Sequence, residues 1–385
     1  MMRKTVLVAG ASGVVGRAAI RHFARCDGWD VIGVSRRIPE QVPGARLFNL
    51  DLADVEACAD LMSRVGADVT HLVFAAQYEA PGLADGWFDA QAIDLNRRML
   101  TNLFEPLAAH ATGLEHVSLM QGSKAYGMHD PSLFEQIRVP LRERDPRLEH
   151  PNFYFVQQGY LEALQKQGGW GLTVLRPTII YGDAPGANMN AIRPIAVYAA
   201  LEREKGRVLH YPGTTYDQPF REAADADLVA AALGWAAGSP GATDGVFNLT
   251  NGDTFLWRNV WQAVAKAFDM EAGEHRPMSF AEDLPAREAE WAALVDKYGL
   301  AAPRSLVEHI GANSLLYADW MLGGVPGVVA PLNSTIAIRQ AGFNGCIDTE
   351  DMFHKWFLRV QADGVVPDHR PANSVRTSPA LEDVP

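Results

Sequence analysis

The chain has 385 residues and a formal net charge of −12, from 46 acidic and 34 basic side chains. This acidic balance argues against a nonspecific binder of nucleic acid or of an anionic membrane surface. The length exceeds the usual size of one domain, about 100–200 residues, so we expect a large α/β unit with a smaller one attached. Cys26, Cys58 and Cys346 are far apart, which predicts no disulfide framework and a reducing, cytoplasmic compartment.

The N-terminal region reads as a strand that enters a glycine-rich turn and then a helix. Gly10 permits the tight turn, Gly13 lets a pyrophosphate approach the helix N-terminus, and Gly16 allows close packing of helix on strand. The spacing is G-x-x-G-x-x-G, not the more common G-x-G-x-x-G, so the strand–turn–helix context carries the prediction. We predict a dinucleotide site here, and the alternative is a plain βα turn without a ligand. The predicted site also includes Ser12, Val14 and Val15.

Strand-like and helix-like runs alternate through the first half of the chain. The further predicted strands are Trp29–Val34, Arg46–Asn49, His71–Ala75, His116–Met120 and Leu172–Leu175. The predicted helices are Ala53–Val65, capped by Asp51, then about Asp89–Ala111 and about Phe153–Gln167. Strands that alternate with helices predict an α/β fold with a Rossmann-type, doubly wound parallel sheet.

The second half of the chain is less regular. Predicted helices are Ala191–Glu204, Ala226–Ala237 and Trp257–Phe268, and Gly245–Leu249 predicts a strand that rejoins the sheet. We therefore assign 1–181 to a dinucleotide-binding domain, rejoined by about 206–249. We assign 182–367 mainly to a smaller, mostly helical substrate-binding cap. Residues 368–385 have little apolar periodicity, which predicts an extended or disordered tail.

The end of the second strand indicates which dinucleotide binds. A site for NAD usually carries an acidic residue about 20 positions after the glycine turn. Here Ser35, Arg36 and Arg37 follow Val34, and two guanidinium groups with a hydroxyl suit a 2′-phosphate. We therefore predict that the cofactor is NADP(H). The alternative is that the two arginines are solvated surface charges. Residues that follow later strands complete the predicted cofactor site: Asp51, Leu52, Ala75, Ala76 and Gln77.

The helix after the fifth strand begins Asn152-Phe153-Tyr154-Phe155 and carries Gln158 four residues after Tyr154. With the glycine turn, this resembles the extended short-chain dehydrogenase/reductase superfamily, whose usual catalytic signature is Tyr-x-x-x-Lys. The resemblance places Tyr154 at the catalytic position. A neutral amide at residue 158 cannot supply the positive charge that lowers the pKa of a phenol.

A lysine does follow the fifth strand, in Gln121-Gly122-Ser123-Lys124-Ala125-Tyr126. This segment and Asn152-Phe153-Tyr154 resemble the progesterone 5β-reductase and iridoid synthase-like enone reductases, which carry their lysine at this place. The similarity extends over about residues 4–367. Gln121, Phe155 and Gln158-Gly159 depart from the usual residues of that family, and these changes leave the substrate open.

The resemblance implies NADPH-dependent reduction of an activated C=C bond in a small apolar carbonyl compound. Tyr154 would stabilise the developing enolate oxygen, and Lys124 would supply positive potential beside it. Further residues expected at the cofactor are Gln121, Pro177, Thr178 and Ile179. Residues expected to line the substrate pocket are Tyr78, Tyr126 and Met128, although each is equally compatible with a packed core position.

Three other functions stay open at this stage. A carbonyl reductase would use the same tyrosine and cofactor, and an NADP-binding sensor would not turn over. Arg36, Arg37 and Gln158 argue against the third, a nucleotide-sugar epimerase. Histidine spacing shows no metal-ligand pattern, and no run of about 18 apolar residues occurs, so we predict no metal and no membrane span. No nucleic-acid partner is predicted, and a homodimer remains open.

Overall fold

The structure is a computed structural model that describes residues 3–38, 41–83, 86–324 and 332–369. In chain order the strands are β1 (Lys4–Ala9), β2 (Trp29–Ser35), β3 (Ala45–Asn49), β4 (His71–Phe74), β5 (His116–Met120), β6 (Gly171–Pro177), β7 (Ile180–Tyr181), β8 (Leu209–Tyr211), β9 (Ala224–Asp225), β10 (Val246–Leu249) and β11 (Ala272–His275).

The α-helices, again in chain order, are α1 (Val14–Arg25), α2 (Val55–Val65), α3 (Ala90–His110), α4 (Phe153–Gly168), α5 (Ile192–Glu204), α6 (Ala226–Gly238), α7 (Trp257–Ala267), α8 (Phe280–Asp283), α9 (Glu288–Tyr298), α10 (Leu306–Ile310), α11 (Ala312–Gly323), α12 (Ile336–Gln340) and α13 (Thr349–Ala362). Within the described ranges, every helix is too short or too polar to cross a membrane.

The chain forms two compact units. The first contains residues 3–179, 226–250 and 332–345, and the second contains 180–225, 251–324 and 346–369. The return segment predicted at about 206–249 therefore starts later, at residue 226, because β8 pairs with β11 inside the second unit. Residues 332–345, which the sequence assigned to the cap, belong to the first unit. The predicted tail lies outside the described residues from 370 onward.

The first unit is built on a seven-stranded sheet with the order β10-β6-β5-β4-β1-β2-β3. All neighbouring strands pair in parallel, which confirms the predicted doubly wound sheet. The strand order reverses between β1 and β4, and ligands of such sheets bind at the carboxyl ends of the strands beside this point. Helices cover the sheet, so Val6, Leu7 and Val8 of β1 are fully buried, as expected of a central parallel strand.

Helices α2, α3 and α4 cover one face of this sheet. Met62, Leu103 and Leu161 from these helices share one hydrophobic core with Leu72 and Leu119 from the strands. Helices α1 and α6 pack together on the other face. The predicted strands and helices of the first unit lie within one or two residues of their predicted bounds, whereas α12 (Ile336–Gln340) was not predicted.

The start of α2 differs from its prediction. The helix was expected from Ala53 with Asp51 as its cap, but it begins at Val55. The Asp54 side chain is the cap, because its carboxylate accepts a hydrogen bond from the Ala57 N–H at 2.9 Å. The Asp51 carboxylate instead accepts from the Ala53 N–H at 3.0 Å, which forms a local turn before the helix.

The second unit contains two small parallel strand pairs and several helices. β7 pairs with β9, and β8 pairs with β11. Trp257 and Trp261 of α7 are buried, and α7 packs against α13. Asp225 at the end of β9 accepts hydrogen bonds from Lys355 and, at 3.0 Å, from the Trp356 indole N–H. This buried cluster ties α13 to the strands of the second unit.

Candidate active site

The glycine turn after β1 packs directly against the loop after β4. Gly10 has φ +88°, and a Cβ on it would lie 2.8 Å from the backbone of Ala75 and Ala76. A Cβ on Gly16 would lie only 2.1 Å from the Gly10 carbonyl oxygen. Both positions therefore require glycine, and both fix the start of α1 at the carboxyl edge of the sheet.

The N-terminus of α1 is open. Its N-cap is Gly13, which provides no side-chain hydrogen bond, and the first turn contains no acidic residue. The first N–H groups of a helix lack intrahelical acceptors, and the helix dipole adds positive potential there. Ser12, Val14 and Val15 are half-buried beside these donors. This end of α1 fits the diphosphate of a dinucleotide.

The end of β2 is cationic. The Arg36 and Arg37 side chains are exposed, and no acidic residue occupies positions 34–38. The buried Ser35 hydroxyl donates to the Arg37 carbonyl oxygen, and Asn49 donates to the Arg36 carbonyl oxygen at 2.7 Å. The backbone that carries the two guanidinium groups is therefore held in place at the sheet edge.

Lys124 and Tyr154 lie together, although 30 residues separate them in the chain. Lys124 is in a short 3-10 helix after β5, Ser123–Tyr126, and Tyr154 is in the first turn of α4. The Lys124 Nζ lies 5.8 Å from the centre of the Tyr154 ring. The Tyr154 hydroxyl oxygen lies 3.5 Å from the position that a Cβ would take on Gly122. The predicted catalytic pair is thus brought together on one edge of the sheet.

Asn152 fixes these two residues relative to one another. As the N-cap of α4 it accepts a hydrogen bond from the Tyr154 N–H at 3.0 Å. Its amide group donates to the Lys124 carbonyl oxygen at 2.8 Å. One buried amide therefore orients the start of α4 and the lysine turn together.

Glu79 is a site residue that sequence reasoning missed. Its carboxylate accepts a hydrogen bond from the Lys124 Nζ at 2.8 Å and one from the Trp87 indole N–H at 2.7 Å. The Glu79 side chain is 3% exposed, and that of Lys124 is 16% exposed. The one signal in the sequence was an acidic residue in the loop after β4, at the ligand edge of the sheet.

The surroundings of Lys124 are aromatic as well as charged. Its Nζ lies 4.5 Å from the Trp87 ring centre and 5.6 Å from that of Phe153. Burial lowers the pKa of the Lys124 ammonium below its usual range, and the Glu79 carboxylate opposes that shift. The charge of this amine is therefore set by its partner and by its desolvation.

Gln158, at the usual lysine position, belongs to a separate network. The Gln121 amide donates to the Gln158 Oε1 at 3.0 Å and to the Tyr154 carbonyl oxygen at 3.1 Å. The Arg176 guanidinium donates to the Gln121 Oε1 at 2.8 Å and to the Gln158 Oε1 at 3.4 Å. Gln121, expected at the cofactor, thus uses both ends of its amide within the protein.

The predicted substrate-pocket residues make different contacts in the structure. The Tyr126 hydroxyl donates to the Asn248 Oδ1 of β10 at 2.6 Å. The backbone of Tyr78 exchanges two hydrogen bonds with the Asn96 amide, at 2.8 and 3.0 Å, so Asn96 braces the loop that leads to Glu79. Met128 is half-buried. The Tyr126 hydroxyl thus braces β10, and the placement of these three residues at the substrate stays a prediction.

The end of β6 lies beside the lysine turn. The Pro177 carbonyl oxygen is 3.5 Å from the Cβ position of Gly122, the same position that the Tyr154 hydroxyl approaches. The Thr178 N–H donates to the Leu249 carbonyl oxygen of β10 at 3.0 Å, and Ile179 is half-buried. Of the described residues, no three histidine, cysteine or acidic side chains form a cluster that suits a metal ion.

The sheet and the glycine turn define a Rossmann-type fold, whose glycine turn fits a dinucleotide. Residues 49–317 match the family model described as a PRISE-like Rossmann-fold domain. The chain therefore belongs to this family, and the resemblance predicted from its motifs is confirmed.

Curated relatives match along most of the chain. An (S)-8-oxocitronellyl enol synthase from Camptotheca acuminata is 30% identical, over 95% of this chain and 94% of the relative. A 3-oxo-Δ(4,5)-steroid 5β-reductase from Arabidopsis thaliana is 28% identical, over 94% of this chain and 92% of the relative. An (S)-8-oxocitronellyl enol synthase from Nepeta racemosa is 29% identical, over 94% and 92%. The prediction that the chain is an oxidoreductase is confirmed.

Solved structures share the fold at lower identity. The epimerase Mth375 from Methanothermobacter thermautotrophicus superposes with a TM-score of 0.65 and 14% identity, covering 94% of each chain. The Bordetella bronchiseptica enzyme WbmG, solved with NAD and UDP, gives a TM-score of 0.61 and 17% identity, covering 94% of this chain and 97% of that one. At this identity the likeness establishes the fold alone.

Proposed function

We propose that this protein is an NADPH-dependent reductase of the activated C=C bond of enones and enals. The observation that carries the proposal is the position of the Lys124 ammonium, 5.8 Å from the Tyr154 ring, in a turn after β5. Gln158, where most related dehydrogenases carry their lysine, is instead held by Gln121 and Arg176. The names of the curated relatives, an enol synthase and a steroid 5β-reductase, support the same chemistry.

The glycine turn and the cationic end of β2 supply the groups that NADP(H) requires. The first N–H groups of α1, next to Gly13, would hold the diphosphate. Arg36 and Arg37 would hold the 2′-phosphate, because guanidinium groups bind phosphate oxygens in a bidentate manner. When bound, the nicotinamide supplies the hydride.

Tyr154 and Lys124 act on the carbonyl oxygen of the substrate. Addition of hydride to the β-carbon moves negative charge onto that oxygen and forms an enolate. The Tyr154 hydroxyl donates a hydrogen bond to the oxygen as the charge grows, and the Lys124 ammonium adds positive potential nearby. Such preorganised donors act strongly in a site that excludes water. Solvent then protonates the α-carbon, which completes the saturated carbonyl product.

Product identification tests the proposal. The purified protein is incubated with NADPH and 2-cyclohexen-1-one, and the organic products are separated and identified. We expect cyclohexanone, together with faster initial rates for NADPH than for NADH. Recovery of 2-cyclohexen-1-ol would show attack at the carbonyl carbon and would contradict the proposed regiochemistry. Equal rates with the two nucleotides would contradict the role of Arg36 and Arg37.

A further inference from the structure

We propose that Glu79 is a positioning residue of this reductase, which holds the Lys124 ammonium beside Tyr154 through a buried ion pair. The inference rests on the proposed function of Lys124. Phe74 of β4 and Leu119 of β5 are register partners in the sheet, and Glu79 and Lys124 each follow that pair by five residues. The parallel pairing of β4 and β5 thus brings the two charges to one edge.

The carboxylate of Glu79 is held on both oxygens. Its Oε1 accepts from the Lys124 Nζ at 2.8 Å and from the Gln77 amide, and its Oε2 accepts from the Trp87 indole N–H at 2.7 Å. The backbone leading to it is fixed by Asn96 through Tyr78. A carboxylate with donors on each oxygen has little freedom to rotate, so it defines the place of the amine.

The ion pair is buried, which makes each partner necessary to the other. The Glu79 side chain is 3% exposed and the Lys124 side chain 16% exposed. An ion pair of this kind gains little net stability, but removal of one partner leaves an uncompensated charge in a poorly solvated place. Loss of Glu79 would therefore leave the Lys124 amine without a counter-charge in this poorly solvated place, which favours its neutral form.

The groups that face Lys124 leave Glu79 as the balancing charge. Tyr154 faces it from α4, and the His150 Nε2 lies 3.2 Å from the Lys124 carbonyl oxygen. Burial lowers the pKa of His129 to about 3, with Lys124 as a second cause, so this imidazole is neutral near pH 7. Burial also lowers the pKa of Lys124, and Glu79 raises it.

The pKa of the Lys124 ammonium determines the direction of the expected pH effect. Only the protonated amine carries the positive charge, so activity falls as the pH rises through the pKa of Lys124. Without the Glu79 carboxylate, desolvation acts unopposed and that pKa decreases further. The loss of activity then occurs at lower pH, and activity at the acidic end is better preserved.

Kinetic pH profiles provide the first test, with NADPH and 2-cyclohexen-1-one as substrates. In Glu79→Gln we expect the alkaline limb of kcat/KM to move down by a pH unit or more, and in Glu79→Asp by less. The matched control is Glu105→Gln, an exposed glutamate of α3 that accepts from Tyr160, and it should leave the profile unchanged. A uniform loss of rate at every pH, or a gain in kcat, in Glu79→Gln would overturn the inference.

A titration that needs no turnover separates this inference from the proposed function. The chain has seven lysines, so lysine labelled with ¹³C at Cε gives few NMR signals, and Lys124→Met identifies the one of Lys124. We expect that signal to titrate at lower pH in Glu79→Gln than in the parent protein, whether or not enones are reduced. Identical titrations would overturn the inference. If Glu79→Gln does not fold, Glu79→Asp gives the same comparison with a smaller downward shift.

Discussion

Two regions at the start of α4 contain similar numbers of polar groups but differ in charge. In one, Lys124 and Glu79 form a buried ion pair beside the Tyr154 ring. In the other, Gln121 and Gln158 share a network of amides with Arg176. A cation therefore lies beside the Tyr154 ring although residue 158 is a glutamine. It comes from the turn after β5, and residue 158 has its own set of hydrogen bonds.

The amide network predicts that a lysine at residue 158 is unfavourable. The Gln158 Oε1 accepts from the Gln121 amide and from the Arg176 guanidinium. A lysine there would offer no acceptor and would place a second cation beside Arg176. Like charges at close range destabilise each other, most strongly where burial limits solvent screening.

The largest effect is expected from Tyr154→Phe, because both regions adjoin this residue and its hydroxyl is the proposed oxyanion donor. We expect kcat to fall on the order of 100- to 1000-fold, the usual cost of removing one oxyanion donor. Steady-state kinetics with NADPH and 2-cyclohexen-1-one measure this, and circular dichroism checks the fold. A loss smaller than tenfold would show that another group stabilises the enolate.

An exchange of the side chains at residues 124 and 158 tests whether the cation can act from either position. The double variant Lys124→Gln with Gln158→Lys keeps the composition but moves the cation from residue 124 to residue 158, the usual place. We expect no recovery of activity above the Lys124→Gln level, because Glu79 remains fixed near residue 124 by Trp87. Thermal unfolding should show a lower Tm, since Arg176 then faces a lysine. Recovery to near the parental rate would contradict the assignment.

A smaller effect, on stability more than on rate, is expected from Gln121→Thr. The shorter side chain removes the acceptor of the Arg176 Nε and the donor to the Tyr154 carbonyl oxygen, so two buried polar groups lose a partner. Each unsatisfied group costs about 1–3 kcal/mol, which urea unfolding can resolve. We expect kcat to change by less than about fivefold, which corresponds to about 1 kcal/mol of activation free energy. A large loss of kcat with unchanged stability would assign Gln121 to catalysis.

Much of the first unit could be predicted from the sequence because local patterns determine it. The predicted β5, His116–Met120, matches the structure at both ends, and its buried apolar run is typical of a parallel strand. The prediction of Asp51 as the cap of α2 was wrong, because the helix begins at Val55 and the carboxylate directly before it is that of Asp54. The pairing of β8 with β11 is a long-range contact that no local pattern indicates.

In the candidate site, too, residues within local motifs could be predicted and long-range contacts could not. Lys124 and Tyr154 were predicted because each belongs to a motif with a family resemblance. Glu79 belongs to no motif, and its partnership with Lys124 depends on the register of β4 and β5. Tyr126 was predicted at the substrate, yet its hydroxyl donates to Asn248 of β10, more than 100 residues away. Such contacts depend on the assembled sheet.

The assignment of the catalytic cation to Lys124 is tested by comparing Lys124→Met with Gln158→Met in the same enone assay. Each variant replaces a polar side chain of similar length by an apolar one, and unfolding curves confirm that both are folded. We expect a decrease in kcat/KM of at least about 100-fold, or 2.7 kcal/mol, for Lys124→Met, and of less than about fivefold for Gln158→Met. The reverse order, or equal losses, would contradict the assignment of the catalytic cation to Lys124.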